Sequence, residues 1–197
     1  DKIYYEIGNL YLNKSDKINA VSAFKLAQEL NPENPYYNNS LAYAYIKAEL
    51  YDDAIEYYQL AIKLNPDAEW TSIVCHALGA IYAEVKNNFD AAEATFNAGM
   101  VLDPKNVDIQ LSLGDLYMAQ GDLDKAIKTY CDAISVEPEN YLTYAKTGLA
   151  LWEKDYLEEA IVAFHKSIEL NPEFEIAQNN LGVVYLDGIG DPKESIE

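Results

Sequence analysis

The residues that could ligate a metal or act as nucleophile and base are few: two cysteines, Cys75 and Cys131, and two histidines, His76 and His165. The cysteines do not form the close pair of a zinc site, and the histidines stand far apart. No carboxylate pair, nucleophile with its base, or phosphate-cradling glycine loop occurs at a workable spacing. Gly188-Ile189-Gly190 is too short for such a loop and follows a helical pattern instead of a strand. The expectation is a chain with no catalytic residue, no cofactor and no metal. Cys75 and Cys131 are then small packing residues, and free thiols favour a reducing compartment such as the cytoplasm.

Charge narrows the class of partner. Thirty-three acidic residues face 14 basic ones, all lysine, for a formal net charge of −19. Nucleic-acid binding draws its affinity from cations on phosphates and favours arginine, so this balance argues against it. Such acidity suits a solvated outer surface or a neutral to basic protein partner. No apolar run approaches the roughly 18 residues that mark a membrane span, so membrane insertion is not expected. No pattern of a cleavable leader is seen.

The elements that position these residues repeat. Pro32, Pro66, Pro104, Pro138 and Pro172 each follow a short polar break after an apolar segment, at spacings of 34, 38, 34 and 34 residues. Proline pushes the preceding residue out of the helical region, so each unit ends there. Inside the first unit Tyr4, Ile7, Gly8 and Tyr11 fall on one helical face, and Ala20, Phe24 and Ala27 do so further on. Two helices joined by a brief turn, Asn13 to Lys17 here and Gly121-Asp122 later, must form an antiparallel hairpin. Hairpins of this length are marginal alone and hold by stacking on their neighbours.

These residues resemble the tetratricopeptide repeat family, whose 34-residue unit carries a small residue at the eighth place, an aromatic at the eleventh, and alanines at the twentieth and twenty-seventh. The second copy supplies Leu41, Ala42, Tyr45, Ala54, Tyr58 and Ala61, and the fourth supplies Leu113, Gly114, Tyr117, Ala126, Tyr130 and Ala133. The resemblance implies an all-α, right-handed solenoid of antiparallel helix hairpins: one array over 1–197, with repeats at 1–34, 35–68, 72–106, 107–140, 141–174 and a partial one at 175–197. The small residues Gly8, Ala42, Gly79, Gly114, Gly148 and Gly182 are expected to let the paired helices approach, with an aromatic beside them. The fourth place, often Trp in the family, is Tyr4, Asn38, Cys75, Gln110, Tyr144 and Gln178 here, which is expected to weaken packing at one edge. The third copy has extra residues, expected before its first helix around Glu69 to Thr71 and in its turn around Lys86 to Asp90.

The resemblance also implies a peptide groove built by first-helix residues. Carrying the family's groove places over gives Tyr5, Asn9, Tyr36, Asn39 and Tyr43, then His76, Asp108 and Asp115. Rigid aromatic rings offer contact area, and carboxamides pair with an extended backbone. Asp108 and Asp115 would favour Lys or Arg in the ligand, and Leu142, Leu149 and Trp152 could receive apolar side chains. Of the lysines, arginine and asparagines with which some members clamp an acidic C-terminal tail only Asn9 is in place, Tyr5, Ser40, Ile73 and Ala77 standing at the others, so recognition of such a tail is not expected. The expected function is a scaffold or adaptor that binds an extended peptide or helix of another protein. The alternative is a regulatory or substrate-recruiting arm of a larger enzyme. Self-association through the incomplete last hairpin, where Ile196 begins an apolar stripe, is a further expectation.

Overall fold

The computed structural model describes residues 1–64 and 67–188. Pro66, the segment from Ile189 onward with Ile196, and the proposed self-association through the last hairpin lie outside the described residues. Among these there are eleven helices and no strand. They are α1 (Lys2–Asn13), α2 (Lys17–Leu30), α3 (Pro35–Lys47), α4 (Tyr51–Leu64) and α5 (Ala68–Ala80), the last continuing as a π-helical turn over Ile81–Val85. Then come α6 (Phe89–Leu102), α7 (Val107–Gln120), α8 (Leu123–Val136), α9 (Tyr141–Glu153), α10 (Leu157–Leu170) and α11 (Glu175–Gly188). By their internal contacts they form two compact units, 1–104 and 105–197. In the first, α1 to α6 pack in chain order. In the second, α8, α9, α10 and α11 follow α7 in the same way. The fold class is the all-α stack of helix hairpins that the repeat implies.

Local chemistry starts and stops these helices. The side chains of Asp16, Asn34, Asp67, Asn88, Asn106, Asp122 and Asn140 accept hydrogen bonds from otherwise unpaired first-turn amides. Each hairpin turns through one residue with positive φ: Ser15, Glu49, Asn87, Gly121 and Asp155. A backbone bond then closes the turn onto the residue at the eleventh place, as in Asp16 N–H to Tyr11 O at 2.9 Å and Asp122 N–H to Tyr117 O at 2.9 Å.

Within each hairpin the small residue touches an aromatic of the second helix. A Cβ added to Gly8 would lie 2.7 Å from Phe24, to Gly79 2.4 Å from Phe96, to Gly114 2.2 Å from Tyr130 and to Gly148 2.9 Å from Phe164. Among the described residues an added Cβ at Gly182 meets nothing within 4 Å. The aromatics Phe24, Tyr58, Phe96, Tyr130 and Phe164 are almost wholly buried, with Ala20, Ala54, Ala92, Ala126 and Ala160 beside them.

Two expectations change. At the fourth place Tyr4 is exposed as a weak edge would be, but Asn38 is fully buried: its amide donates to Pro32 O at 3.0 Å and Asn34 O at 2.9 Å, while its Oδ1 is left without a hydrogen bond. Gln178 likewise donates to Pro172 O at 2.6 Å. A carboxamide thus ties the first helix to the loop that a large apolar ring would have covered.

The extra residues of the third hairpin are absorbed by its first helix. Glu69 to Thr71 lie inside α5, because Asp67 accepts from Trp70 N–H at 2.9 Å and starts the helix there. The turn gains nothing, since Asn87 stands five residues before Ala92, just as Ser15 stands five before Ala20. The surplus residue falls in the π-helical turn, where Lys86 N–H reaches back to Ile81 O at 3.1 Å. The closing bond therefore runs from Asn88 to Tyr82, one residue longer than from Asp16 to Tyr11.

Candidate functional site

In the first unit, α1, α3 and α5 present side chains to one face, and two recesses open there. The first, of about 340 Å³, is lined by Asn9, Leu12 and Asn13 of α1, by Ser15 and Lys17 after it, and by Tyr43 and Lys47 of α3. The second, also about 340 Å³, is lined by Tyr43, Ile46, Tyr51, Tyr58, Ala77, Ala80, Ile81, Glu84 and Val85. Tyr43 belongs to both. Its ring is 43% exposed, and the Lys47 ammonium stands 4.9 Å from its centroid.

The groove residues read from the sequence separate into two sets. Asn9 and Tyr43 share the first recess, and neither the Asn9 nor the Asn39 carboxamide has a hydrogen-bond partner among the described residues. Tyr5 is largely a packing residue, its ring 5.7 Å from Phe24 and 5.3 Å from Tyr37. Tyr36 is half-exposed and meets the Trp70 ring edge-on at 5.0 Å. The His76 ring lies 6.1 Å from Phe96 at the hairpin interior.

In the second unit Asp108 is exposed. Asp115 is already engaged: it accepts from Tyr130 Oη at 2.6 Å and from Lys146 Nζ at 2.7 Å. Burial first, and then this bond to Asp115, push the Tyr130 phenol well above its ordinary range. Tyr58, buried under the second recess of the first unit, is raised chiefly by burial too.

Asn13, Lys17 and Lys47 were not among the residues read from the sequence. They sit at the ends of α1, α2 and α3, off the groove places of the repeat, and the packing of these three helices in chain order brings them together. Both cysteines are free, Cys75 buried and Cys131 exposed, and burial raises both thiols. Among the described residues no group of three or more His, Cys, Asp or Glu could hold a metal ion, and no helix is long and apolar enough to cross a membrane.

Similarity to known proteins follows the same repeats. Family models described as tetratricopeptide repeat match residues 5–69 and 143–174, and one described as TPR repeat matches 114–155. The peroxisomal targeting signal receptor of Candida albicans is 29% identical over 205 residues, covering 98% of this chain and 33% of that protein. The BBSome complex member BBS4 of Bos taurus is 31% identical over 119 residues, covering 60% of this chain and 22% of its own length. The chain thus spans a third or less of these curated relatives.

Among solved structures, a MamA protein superposes with TM-score 0.75 at 28% identity, covering 87% of this chain and 92% of its own. YrrB, described as a TPR protein with an unusual peptide-binding site, gives TM-score 0.71 at 17% identity, covering 90% and 89%. At that identity the second match speaks to fold alone.

Proposed function

This chain belongs to the tetratricopeptide repeat family, and we propose that it is a non-catalytic binding module that holds an extended segment or helix of another protein on first-helix side chains. The observation that carries this reading is the pair of recesses sharing Tyr43 on the α1–α3–α5 face, the first of them lined by the Asn9 carboxamide. Exposed aromatics beside free amide donors and acceptors suit a ligand held through its main chain. Similarity to receptors whose name is for a targeting signal supports a protein ligand. The five proline-marked hairpins and the partial sixth act, in this reading, as one array. In the second unit Asp108 supplies a contact for a basic side chain, whereas the charge of Asp115 is met by Lys146.

The test uses a peptide selected on the immobilised chain from a random library. Truncating a hot-spot aromatic costs about 2 kcal/mol, roughly thirtyfold in affinity. Tyr43→Ala is therefore expected to bind the peptide at least tenfold more weakly. Tyr156→Ala, which alters an exposed tyrosine of the second unit, is expected to bind unchanged. Equal binding by both folded variants and the unaltered chain would remove the α1–α3–α5 face as the site.

A further inference from the structure

The two recesses differ in chemistry, and that difference specifies a ligand. The second is walled by Ile46, Tyr51, Tyr58, Ala77, Ala80, Ile81 and Val85, with Glu84 its one carboxylate. The first has no carboxylate in its lining and holds two lysines, two asparagines and a serine. In a chain with 33 acidic residues against 14 lysines, a recess lined by Lys17 and Lys47 without an acid is unusual.

Neither lysine is held in a close ion pair, although Glu49 stands within long ion-pair distance of Lys17. Lys146 meets Asp115 at 2.7 Å, and Lys125 and Lys166 meet Asp122 and Glu169 at 2.9 Å. Lys17, by contrast, stands 3.8 Å from Glu49, beyond hydrogen-bond reach, and Lys47 lies over the Tyr43 ring. Asn9 and Asn13 add neutral donors without adding charge.

Resting on the binding-module reading above, we infer that the face around Tyr43 selects an extended segment bearing an aspartate or glutamate side chain in the Asn9–Asn13–Lys17–Lys47 recess. An apolar side chain two residues away then fills the recess beyond Tyr43. In an extended chain, side chains i and i+2 point the same way about 6.7 Å apart, which lets them straddle one aromatic ring. The carboxylate gains charge-assisted hydrogen bonds from the lysines. The apolar side chain covers Ile46, Ile81 and Val85. The π-helical turn contributes here, because its residues Ile81, Glu84 and Val85 line the second recess.

The experiment is a selection of random 12-residue peptides on the immobilised chain, displayed by fusion at their C-terminal ends so that no free carboxyl terminus is offered. The expected result is enrichment of Asp or Glu two positions from Leu, Ile, Val or Phe among binders that Tyr43→Ala weakens. In fluorescence anisotropy, Lys17→Glu with Lys47→Glu should weaken the selected peptide at least tenfold. The milder Lys17→Gln with Lys47→Gln should lose part of the same affinity. The three replaced positions, Lys17, Tyr43 and Lys47, are exposed, and circular dichroism checks that each variant is folded. Tyr43-dependent binders without an acid, or unmoved by either lysine pair, overturn the acidic preference and leave the binding module standing. Binders obtained only from a library with free C-termini assign the lysines to a terminal carboxylate and overturn the side-chain assignment. A selection that yields no Tyr43-dependent binder overturns both.

Discussion

Gly114 sets how near α7 and α8 can come, because the space a Cβ would take is held by the Tyr130 ring at 2.2 Å. That ring cannot swing aside freely, since its hydroxyl is bonded to Asp115, which Lys146 holds in turn. Gly114→Ala is therefore expected to destabilise the fold by about 1–3 kcal/mol through overpacking. Gly182→Ala, whose Cβ meets nothing within 4 Å among the described residues, should be neutral or stabilising. Denaturant titration of the two variants checks both; a neutral Gly114→Ala would mean that the close approach does not limit this hairpin. The buried phenols give a pH prediction. Burial raises the pKa of Tyr58 and Tyr130 in the folded state, so their contribution is complete below the unfolded value near 10 and is lost as pH rises above it. Stability should fall above pH 10 by roughly 1.4 kcal/mol per pH unit for each such tyrosine. Tyr130→Phe should make that fall shallower; an unchanged slope would place its hydroxyl outside the effect.

At the scale of the element, the third hairpin differs from its neighbours by one residue, and the difference lies in the π-helical turn of Ile81–Val85. Gly79 and Ala92 are thirteen residues apart, against twelve for Gly8 and Ala20 or Gly114 and Ala126. Deleting Ala83 restores the common spacing and should leave a regular α-helix with stability kept or raised, since π-helical turns are rare and are retained mostly where function needs them. The same deletion moves Glu84 and Val85 off their present register, so peptide binding at the second recess should fall although circular dichroism is unchanged. Full binding by a folded deletion variant would show that the π-helical turn has no part in the site.

The sequence reading and the structure agree where a rule repeats. Prolines, the small residue at the eighth place and the aromatic at the twenty-fourth recur, and each recurrence restates the same packing problem of two helices in close contact. They part where a residue acts once. Nothing in the count of surplus residues tells a longer loop from a π-helical turn, because both absorb one residue between fixed ends. Asn38 read as a missing large ring, yet its amide bonds to Pro32 O and Asn34 O hold the same junction. Lys17 and Lys47 are 30 positions apart, at the start of one helix and the end of the next, and neither is at a groove place of the repeat. Tyr5 sits at a groove place by register, but its ring is drawn against Phe24 and Tyr37.

At the scale of the whole molecule, a net charge of −19 makes the outer surface repel acidic proteins at long range. The face around Tyr43 departs from that field locally, with Lys17 and Lys47 lining one recess and a mostly apolar recess, with Glu84 its one carboxylate, next to it. A ligand is thus chosen by a short segment that matches the recesses, while the rest of its surface is screened within about a Debye length of 8 Å at physiological salt. The central claim, that the first-helix face of the first unit is where another protein binds, has a direct measurement. The full chain, labelled with ¹⁵N, is titrated with a peptide selected on it, and perturbed resonances are mapped by residue. The expected result is saturable shifts at Asn9, Asn39, Tyr43, Ile46 and Val85, including the side-chain amides of both asparagines. Shifts confined to the outer sides of the second helices, such as Lys25, Glu56 and Lys63, with Asn9, Asn39 and Tyr43 unmoved at saturation, would contradict it.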